Sequence, residues 1–329
     1  MRFLEEILYL SYLGGIGRGI INREYVPWRY WRNEEPDLSV PEEWLRLTGR
    51  ILTAEEDKAA KRETQKVLEW LYKHQETEVY TVFDQDYPAR LSVMGNQRPP
   101  AIYIKGSINN SGNEKVSGEG NSGSVSIFSR PSLAVIGSRW PGDYALRNGF
   151  KFARMLAEQA KMPIISGLAR GCDRIGHCAA MDVGVPTVAV MACGPDTIVP
   201  DINRDLAERI ADGHGFLMTE YPPGTSPADY RYVERDRITA ALSSAAVVIE
   251  CGIRSGTMQT VKAALSYGRP VACWYPSTAE SSGYEGNRYM LEHLGAFRIT
   301  DNASLTELLN TIRLKEKELF QEPEQISLF

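Results

Sequence analysis

Between Leu133 and Pro276 the chain carries a row of short apolar runs, each followed by Gly, Ser or Arg. They read Leu133-Ala-Val-Ile-Gly-Ser-Arg139, Ile164-Ile-Ser-Gly-Leu-Ala-Arg-Gly-Cys-Asp173, Thr187-Val-Ala-Val-Met-Ala-Cys-Gly194, Val247-Val-Ile-Glu-Cys251 and Pro270-Val-Ala-Cys-Trp-Tyr-Pro276. Runs this short, apolar without alternation, suit strands buried on both faces of a parallel sheet. Helical patterns such as Tyr144 to Ala160 lie between them, and that alternation is the mark of βαβ units in an α/β domain. In open α/β sheets ligands bind outside the carboxyl ends of the strands, where the Gly, Ser and Arg residues fall.

The net charge of -5 excludes a generally basic coat, so a nucleic-acid surface has to be a local patch. The five cysteines, Cys172, Cys178, Cys193, Cys251 and Cys273, form no Cys-x-x-Cys pair and sit mostly in apolar runs. Buried, reduced thiols are expected, and no spacing of His and Cys calls for a metal. No apolar stretch reaches the ~18 residues of a membrane span. Acidic residues interrupt the opening Met-Arg-Phe-Leu-Glu-Glu, where a signal peptide needs an apolar run, so the expected location is cytoplasmic.

Residues 1–75 read as a helical amino-terminal domain. Leu4, Ile7, Leu8 and Leu10 recur at helical spacing until Gly14-Gly-Ile-Gly17 breaks the run. Thr53 with Glu56 is a capping-box signature opening a helix to about His74. Tyr25 to Trp44 is assigned no structure. Residues 79–83 and 101–104 read as strands, leading into a core over 76–314. Residues 107–128 are expected to be a flexible insertion, because Ser107 to Ser126 is rich in Gly, Ser and Asn. Residues 315–329 are expected to be a charged tail after a helix ending near Leu314.

Gly137-Ser138-Arg139 lacks the Gly-x-Gly-x-x-Gly spacing of a dinucleotide site, yet turn amides and a bidentate arginine suit an anion. Ser166-Gly167-Leu-Ala-Arg170-Gly171 repeats the arrangement, and Asp173 can cap the next helix. Cys172, Asp173 and His177 lie too close together on one helix start to form a nucleophilic set. Glu234-Arg-Asp-Arg-Ile-Thr239 places Arg235 and Arg237 around a carboxylate, just before an expected helix of small residues, Ala240 to Ala246. Arg231 and Tyr232 upstream extend it into a basic and aromatic patch. Ser255-Gly256-Thr257 and Thr260 open a further helix with hydroxyls, and no P-loop lysine motif supports ATP hydrolysis.

These blocks recur in order with Cys193-Gly194, Pro200, Asn203, Glu220-Tyr-Pro222, Gly268-Arg-Pro-Val271, Tyr87-Pro-Ala-Arg-Leu91 and Pro99 to Gly106. Over residues 79–276 the chain resembles the DNA-processing protein A (DprA/Smf) family. The resemblance implies an α/β fold, an extended Rossmann-like doubly wound sheet, mostly parallel, preceded by a small helical domain. Leu10 to Gly19 resembles the SAM-like or helix-hairpin-helix-like start of some members. The resemblance further implies a non-enzymatic, cofactor-free homodimer that binds single-stranded DNA and hands it to the RecA recombinase during recombination or natural transformation. Phosphate contacts are then expected from Arg139, Arg170, the Pro200 to Arg204 segment with Asn203 and Arg204, Arg235 and Arg237. Tyr230 and Tyr232 are the expected stacking platforms, and the stretch Tyr267 to Tyr275 is the expected dimer surface.

Three departures stand out. The family's Arg-Asn-Arg block reads Arg235-Asp236-Arg237, Ala192 replaces a Gly, and the winged-helix segment of many members is not expected after the core. The terminal Gln325-Ile-Ser-Leu-Phe329 resembles the pentapeptide that binds the replication sliding clamp, with Leu328 and Phe329 as apolar anchors and Gln325 as polar hook. A rival reading is a LOG-like enzyme or sensor acting on a nucleoside phosphate. Cys251 to Gln259 keeps that superfamily's Gly-Thr but carries Gln259 where the catalytic Glu stands. A third reading is a clamp-recruited scaffold with little affinity for DNA.

Overall fold

A capping box opens the longest amino-terminal helix, as its sequence predicts: Thr53 Oγ1 accepts from the Glu56 amide, and Glu56 accepts from the Thr53 amide. The computed structural model describes residues 3–32, 35–108, 127–276 and 282–320. Helix α1 (Leu4–Ser11) ends before the glycine cluster. Helix α2 (Arg18–Ile20) passes through a π turn, Ile21–Tyr25, into α3 (Val26–Tyr30), whose first turn holds Pro27. Helices α4 (Ser39–Leu47) and α5 (Ala54–Lys73) complete the region. The unassigned stretch from Tyr25 to Trp44 is thus largely helical, with Trp44 buried edge-on against Tyr25 at 5.3 Å. Leu4, Leu8, Tyr25, Val67 and Leu71 share one cluster with Val79 and Tyr103, so these helices pack directly on the first strands.

Strands β1 (Thr77–Thr81) and β2 (Ala101–Ile108) pair antiparallel, Thr81 opposite Ala101. Then follow β3 (Leu133–Ile136), β4 (Ile164–Ser166), β5 (Thr187–Val190), β6 (His214–Thr219), β7 (Ala245–Val248), β8 (Val271–Trp274) and β9 (Phe297–Ile299). They form one sheet in the order β1-β2-β6-β5-β4-β3-β7-β8-β9, parallel throughout from β6 to β9. Every residue of β3, β4, β5, β7 and β8 is buried, the expected result of helices on both faces. Those helices are α6 (Asp143–Ala160), α7 (Cys172–Asp182), α8 (Arg204–Ala211), α9 (Asp229–Leu242), α10 (Thr257–Ser266), α11 (Glu285–His293) and α12 (Asn302–Phe320). The chain winds outward from β3 to β6, then returns through α9 to start β7 beside β3. The crevice between the carboxyl ends of β3 and β7 is therefore the topological switch point.

The architecture is the extended Rossmann-like sheet with a helical amino-terminal region. Several boundaries differ from the sequence expectation. The supposed small-residue helix Ala240 to Ala246 is split: α9 already contains Glu234 to Thr239 and ends at Leu242, and Ala245 begins β7. Strand β6 escaped the pattern because it opens with His214-Gly215; a Cβ at Gly215 would sit 1.8 Å from the Thr187 carbonyl. Within 107–128, Ser107 and Ile108 end β2 while Ile127 and Phe128 are buried against the sheet; residues 109–126 lie outside the described residues. Helix α12 runs on to Phe320 because Glu316 is held by the buried Arg90 at 2.5 Å. The pentapeptide with Gln325, Leu328 and Phe329 lies outside the described residues. Within the stretch Tyr267 to Tyr275 the residues of β8 are buried, while Tyr267, Gly268 and Tyr275 reach the surface. Among the described residues no helix is long and apolar enough to cross a membrane.

Candidate nucleic-acid interface

At the switch point the ends of β3, β4 and β7 enclose a cavity of about 370 Å³. Its walls are the turn at Gly137 and Arg139, the loop at Gly167 and Ala169, the start of α10 from Ser255 to Thr260, and one stripe of α9. That stripe is Asp229, Tyr232, Val233, Asp236 and Thr239, a helical i, i+3, i+4, i+7 pattern in which polar residues take positions usually apolar. Roughly 135° around the helix from that stripe, Glu234 and Arg237 face the amino-terminal region instead. There Glu220, buried, pairs with both Arg237 and Arg18 (2.9 Å to Arg18), and Glu234 pairs with Arg18. Arg237 also donates to the Gln97 carbonyl at 2.7 Å. It is a strut between two parts of the chain, and its expected phosphate role is not supported by this placement.

The other expected contacts divide in the same way. Arg139 is exposed at the cavity rim with its guanidinium 4.8 Å from the Tyr232 ring centre. Arg170 is exposed and lies 5.3 Å over Trp140, itself 75% exposed. Arg231 lies between Tyr221 and Tyr230, at 5.2 and 5.3 Å. Trp140 belonged to no motif and Tyr221 only to the Glu220-Tyr-Pro222 block, with no stacking role expected of either; their position beside these arginines reveals one. Ser255, Gly256 and Thr257 line the cavity, with Ser255 Oγ accepting from the Thr257 amide at 3.2 Å.

Ser166, by contrast, is fully buried and donates to the Val135 carbonyl at 2.7 Å. Asn203 is fully buried between the Leu168 carbonyl and Arg174, both at 2.8 Å. Arg204 is exposed but pairs with Asp201 at 2.7 Å. The Ser138 amide donates to the Glu250 carbonyl at 2.7 Å, so this turn does not offer that N–H to an anion. Gly137 and Gly171 are required for close packing: a Cβ at Gly137 would lie 2.6 Å from Cys172 Sγ, and one at Gly171 2.3 Å from the Ser138 carbonyl. Asp173 does not cap α7; its Oδ2 accepts from the Gly167 and Ala169 amides at 3.1 and 3.3 Å and shapes the loop.

Arg235 is buried beneath the cavity. It donates to the Val190 carbonyl at 2.7 Å, pairs with Asp236 at 3.1 Å, and crosses Gly167 so closely that a Cβ there would fall 1.6 Å from Nη1. Burial pushes the Asp236 carboxyl up to about 6, against the pull of Arg235 and a hydrogen bond with Thr260. Burial raises Asp173 too, again opposed by Arg235. His177 is fully buried against Thr187 at 2.7 Å and burial lowers it to about 3, so it is neutral. Burial raises the Cys172 thiol, which leaves that helix start without a nucleophile.

The raised Asp236 carboxyl has a consequence for stability. The folded state holds this proton more tightly than the unfolded state, so its contribution is favourable below about pH 4. It is lost as pH rises toward 6, leaving a penalty on the order of 3 kcal/mol above that. Asp236→Asn is expected to raise the denaturation midpoint at pH 7.5 and to give no gain at pH 4. Urea titrations at the two pH values measure this; an equal effect at both removes the carboxylate as the cause.

Comparison with known proteins places the chain. The family model for DNA recombination-mediator protein A matches residues 121–310. A DNA processing protein DprA of Mycobacterium tuberculosis is 40% identical over 181 residues, 55% of this chain and 46% of that protein. The Smf protein of Escherichia coli is 36% identical over 177 residues, again 46% of its length. The matched region thus spans about half the length of these relatives. The solved structure of DNA processing protein A from Streptococcus pneumoniae superimposes with a TM-score of 0.74, covering 93% of this chain and 98% of that one at 23% identity. A structure describing the single-stranded DNA binding mode of the Helicobacter pylori protein gives 0.56, over 72% of this chain and 97% of that one at 21% identity. The chain belongs to the DNA recombination-mediator protein A (DprA/Smf) family.

Proposed function

We propose that this chain binds single-stranded DNA along the rim of the switch-point cavity and acts, as a homodimer, as a recombination mediator that passes the strand to the RecA recombinase. The observation that carries the reading is a set of arginines each laid against an aromatic ring: the exposed Arg139 on Tyr232 and Arg170 on Trp140, and the half-buried Arg231 on Tyr221 and Tyr230. Guanidinium groups hold the phosphate backbone, and rings beside them stack bases without regard to sequence. Such a surface tracks a polymer better than it encloses one small ligand. The single-stranded DNA binding mode described for the Helicobacter pylori relative supports the same use. The proposal includes no catalysis. Gln259, standing where LOG-like enzymes carry glutamate, is exposed and does not line the cavity. A tail contact with the sliding clamp through Gln325, Leu328 and Phe329, and action in the cytoplasm, belong to the same proposal.

Fluorescence anisotropy with a labelled oligonucleotide across a salt series tests it. Affinity is expected to fall steeply with salt, and Arg139→Ala to reduce the slope by about one. Arg237→Ala, which removes a strut, should leave the slope unchanged. Absence of binding at low salt overturns the proposal.

A further inference from the structure

We infer that Arg18, carried by the amino-terminal region, is a positioning residue for strand binding: by holding Glu234 it leaves Arg231 and the Tyr221 ring to the strand. This deepens, and rests on, the proposed binding of single-stranded DNA. Helix α9 carries Arg231 and Glu234 three residues apart, a spacing at which opposite charges on a helix pair. Among the described residues these two are not paired with each other, because Glu234 has both oxygens occupied. Its Oε1 accepts from Arg18 and its Oε2 from the Tyr221 hydroxyl at 2.8 Å. Arg231 lies against the Tyr221 ring at 5.2 Å and gives one of its five N–H groups to the Ser226 carbonyl. The Tyr221 side chain thus touches both, with its hydroxyl on the carboxylate and its ring on the guanidinium.

The seat of Arg18 does not depend on Glu234. Arg18 opens α2 just after Gly17, and the following π turn is pinned by the buried Asn22, whose Nδ2 donates to the Asn96 and Arg98 carbonyls at 3.1 and 2.8 Å. A second anchor is the buried Glu220, 2.9 Å from Arg18. Removing the Arg18 guanidinium leaves Glu220 with Arg237 but frees Glu234 Oε1. The Glu234 side chain, 32% exposed, then stands one helical turn from Arg231 with an oxygen to fill. Pairing between them turns a rim guanidinium into half of a neutral ion pair and draws it off the Tyr221 ring. The phosphate backbone loses a cation, and a base loses its platform. The amino-terminal region in this way sets the charge presented at the rim without itself touching the strand.

The test is fluorescence anisotropy with the full chain and a labelled oligo(dT) strand across a salt series. Arg18→Ala is expected to weaken binding about fivefold near 0.1 M salt and to flatten the logarithmic salt dependence by about 0.7, the share of one phosphate contact on a single strand. In an Arg231→Ala background Arg18→Ala should add no further loss, and Glu234→Gln should return Arg18→Ala to wild-type affinity. Arg237→Ala removes an equal charge from the same cluster but leaves Glu234 with Arg18, and should not reproduce the loss. Tyr221→Phe keeps the ring and every ion pair and frees only Glu234 Oε2. It is expected to bind about twofold more weakly and to be rescued by Glu234→Gln. If Arg18→Ala folds poorly, Tyr221→Phe at wild-type affinity overturns the inference. Wild-type affinity and slope in folded Arg18→Ala, an equal loss in Arg237→Ala, or a loss that persists without Arg231 also overturns it, while leaving the proposed function intact. Failure of the wild-type chain to bind at low salt overturns the proposed function, and this inference with it.

Discussion

Arg235→Ala is expected to cost about 3–5 kcal/mol of unfolding free energy, because it leaves buried carboxylates without their cation. Arg235 is 4% exposed, and it is the guanidinium that opposes the burial-driven rise of both Asp173 and Asp236. Its loss also strips a donor from the Val190 carbonyl at the end of β5. Guanidinium chloride titration reads the change as a lower midpoint at unchanged slope. Gly167→Ala is the companion experiment, since the new methyl would overlap the guanidinium and drive it from its seat. Both variants are expected to lose strand binding even where they remain folded, because the cavity floor collapses or fills. Arg139→Ala, at the exposed rim, should leave the midpoint in place. A stability change under 1 kcal/mol for Arg235→Ala would show that the floor does not need this cation.

The second large effect lies far from the cavity. Glu6 is fully buried in α1 and accepts from Arg29 Nε at 2.9 Å, Arg29 Nη2 at 3.2 Å, the Tyr25 hydroxyl at 2.6 Å and the Asp37 amide at 3.2 Å. Arg29 is itself 1% exposed. Removing the carboxylate in Glu6→Ala strands a guanidinium in the amino-terminal core, at a cost of about 3–5 kcal/mol. The paired replacement Glu6→Leu with Arg29→Met removes both charges, and is expected to recover most of the loss. A double variant no more stable than the single one would show that the pair is not what the core depends on. Because the same core includes Val79 and Tyr103, the melting of this region is expected to loosen the β1–β2 edge as well. Hydrogen exchange in Thr77–Thr81 would report that loosening.

Much of the fold was legible because the relevant signals are local. All-apolar runs such as Leu133–Ile136 and Val188-Ala-Val190 have one stable destination, a strand covered on both faces. Thr53 and Glu56 announce a helix start through a hydrogen-bond pattern that needs only four residues. Strand β6 was harder to read, since its opening glycine is demanded by a carbonyl of β5 and by nothing nearby in sequence. The helical character of Tyr25 to Trp44 depends on the Trp44–Tyr25 contact and the buried Glu6, again partners at a distance.

The candidate site divides along the same line. Gly137, Arg139, Gly167 and Ser255 to Thr257 follow strand ends, and strand ends converge at a switch point whatever the details of packing. Residue type determined where phosphate-binding chemistry is available, and the order of the runs determined that a crevice would form beside β3. Only tertiary structure decided which polar groups remain free to use it. Arg235 and Arg237 are two residues apart, so helix geometry sends them to different faces, one under the cavity and one to Glu220. Ser166 and Asn203 look like ligand groups in the sequence, yet each is spent on a buried carbonyl that water cannot reach. A side chain's charge and donors are local properties, whereas its availability is set by partners brought together from across the chain, because a buried polar group must be satisfied.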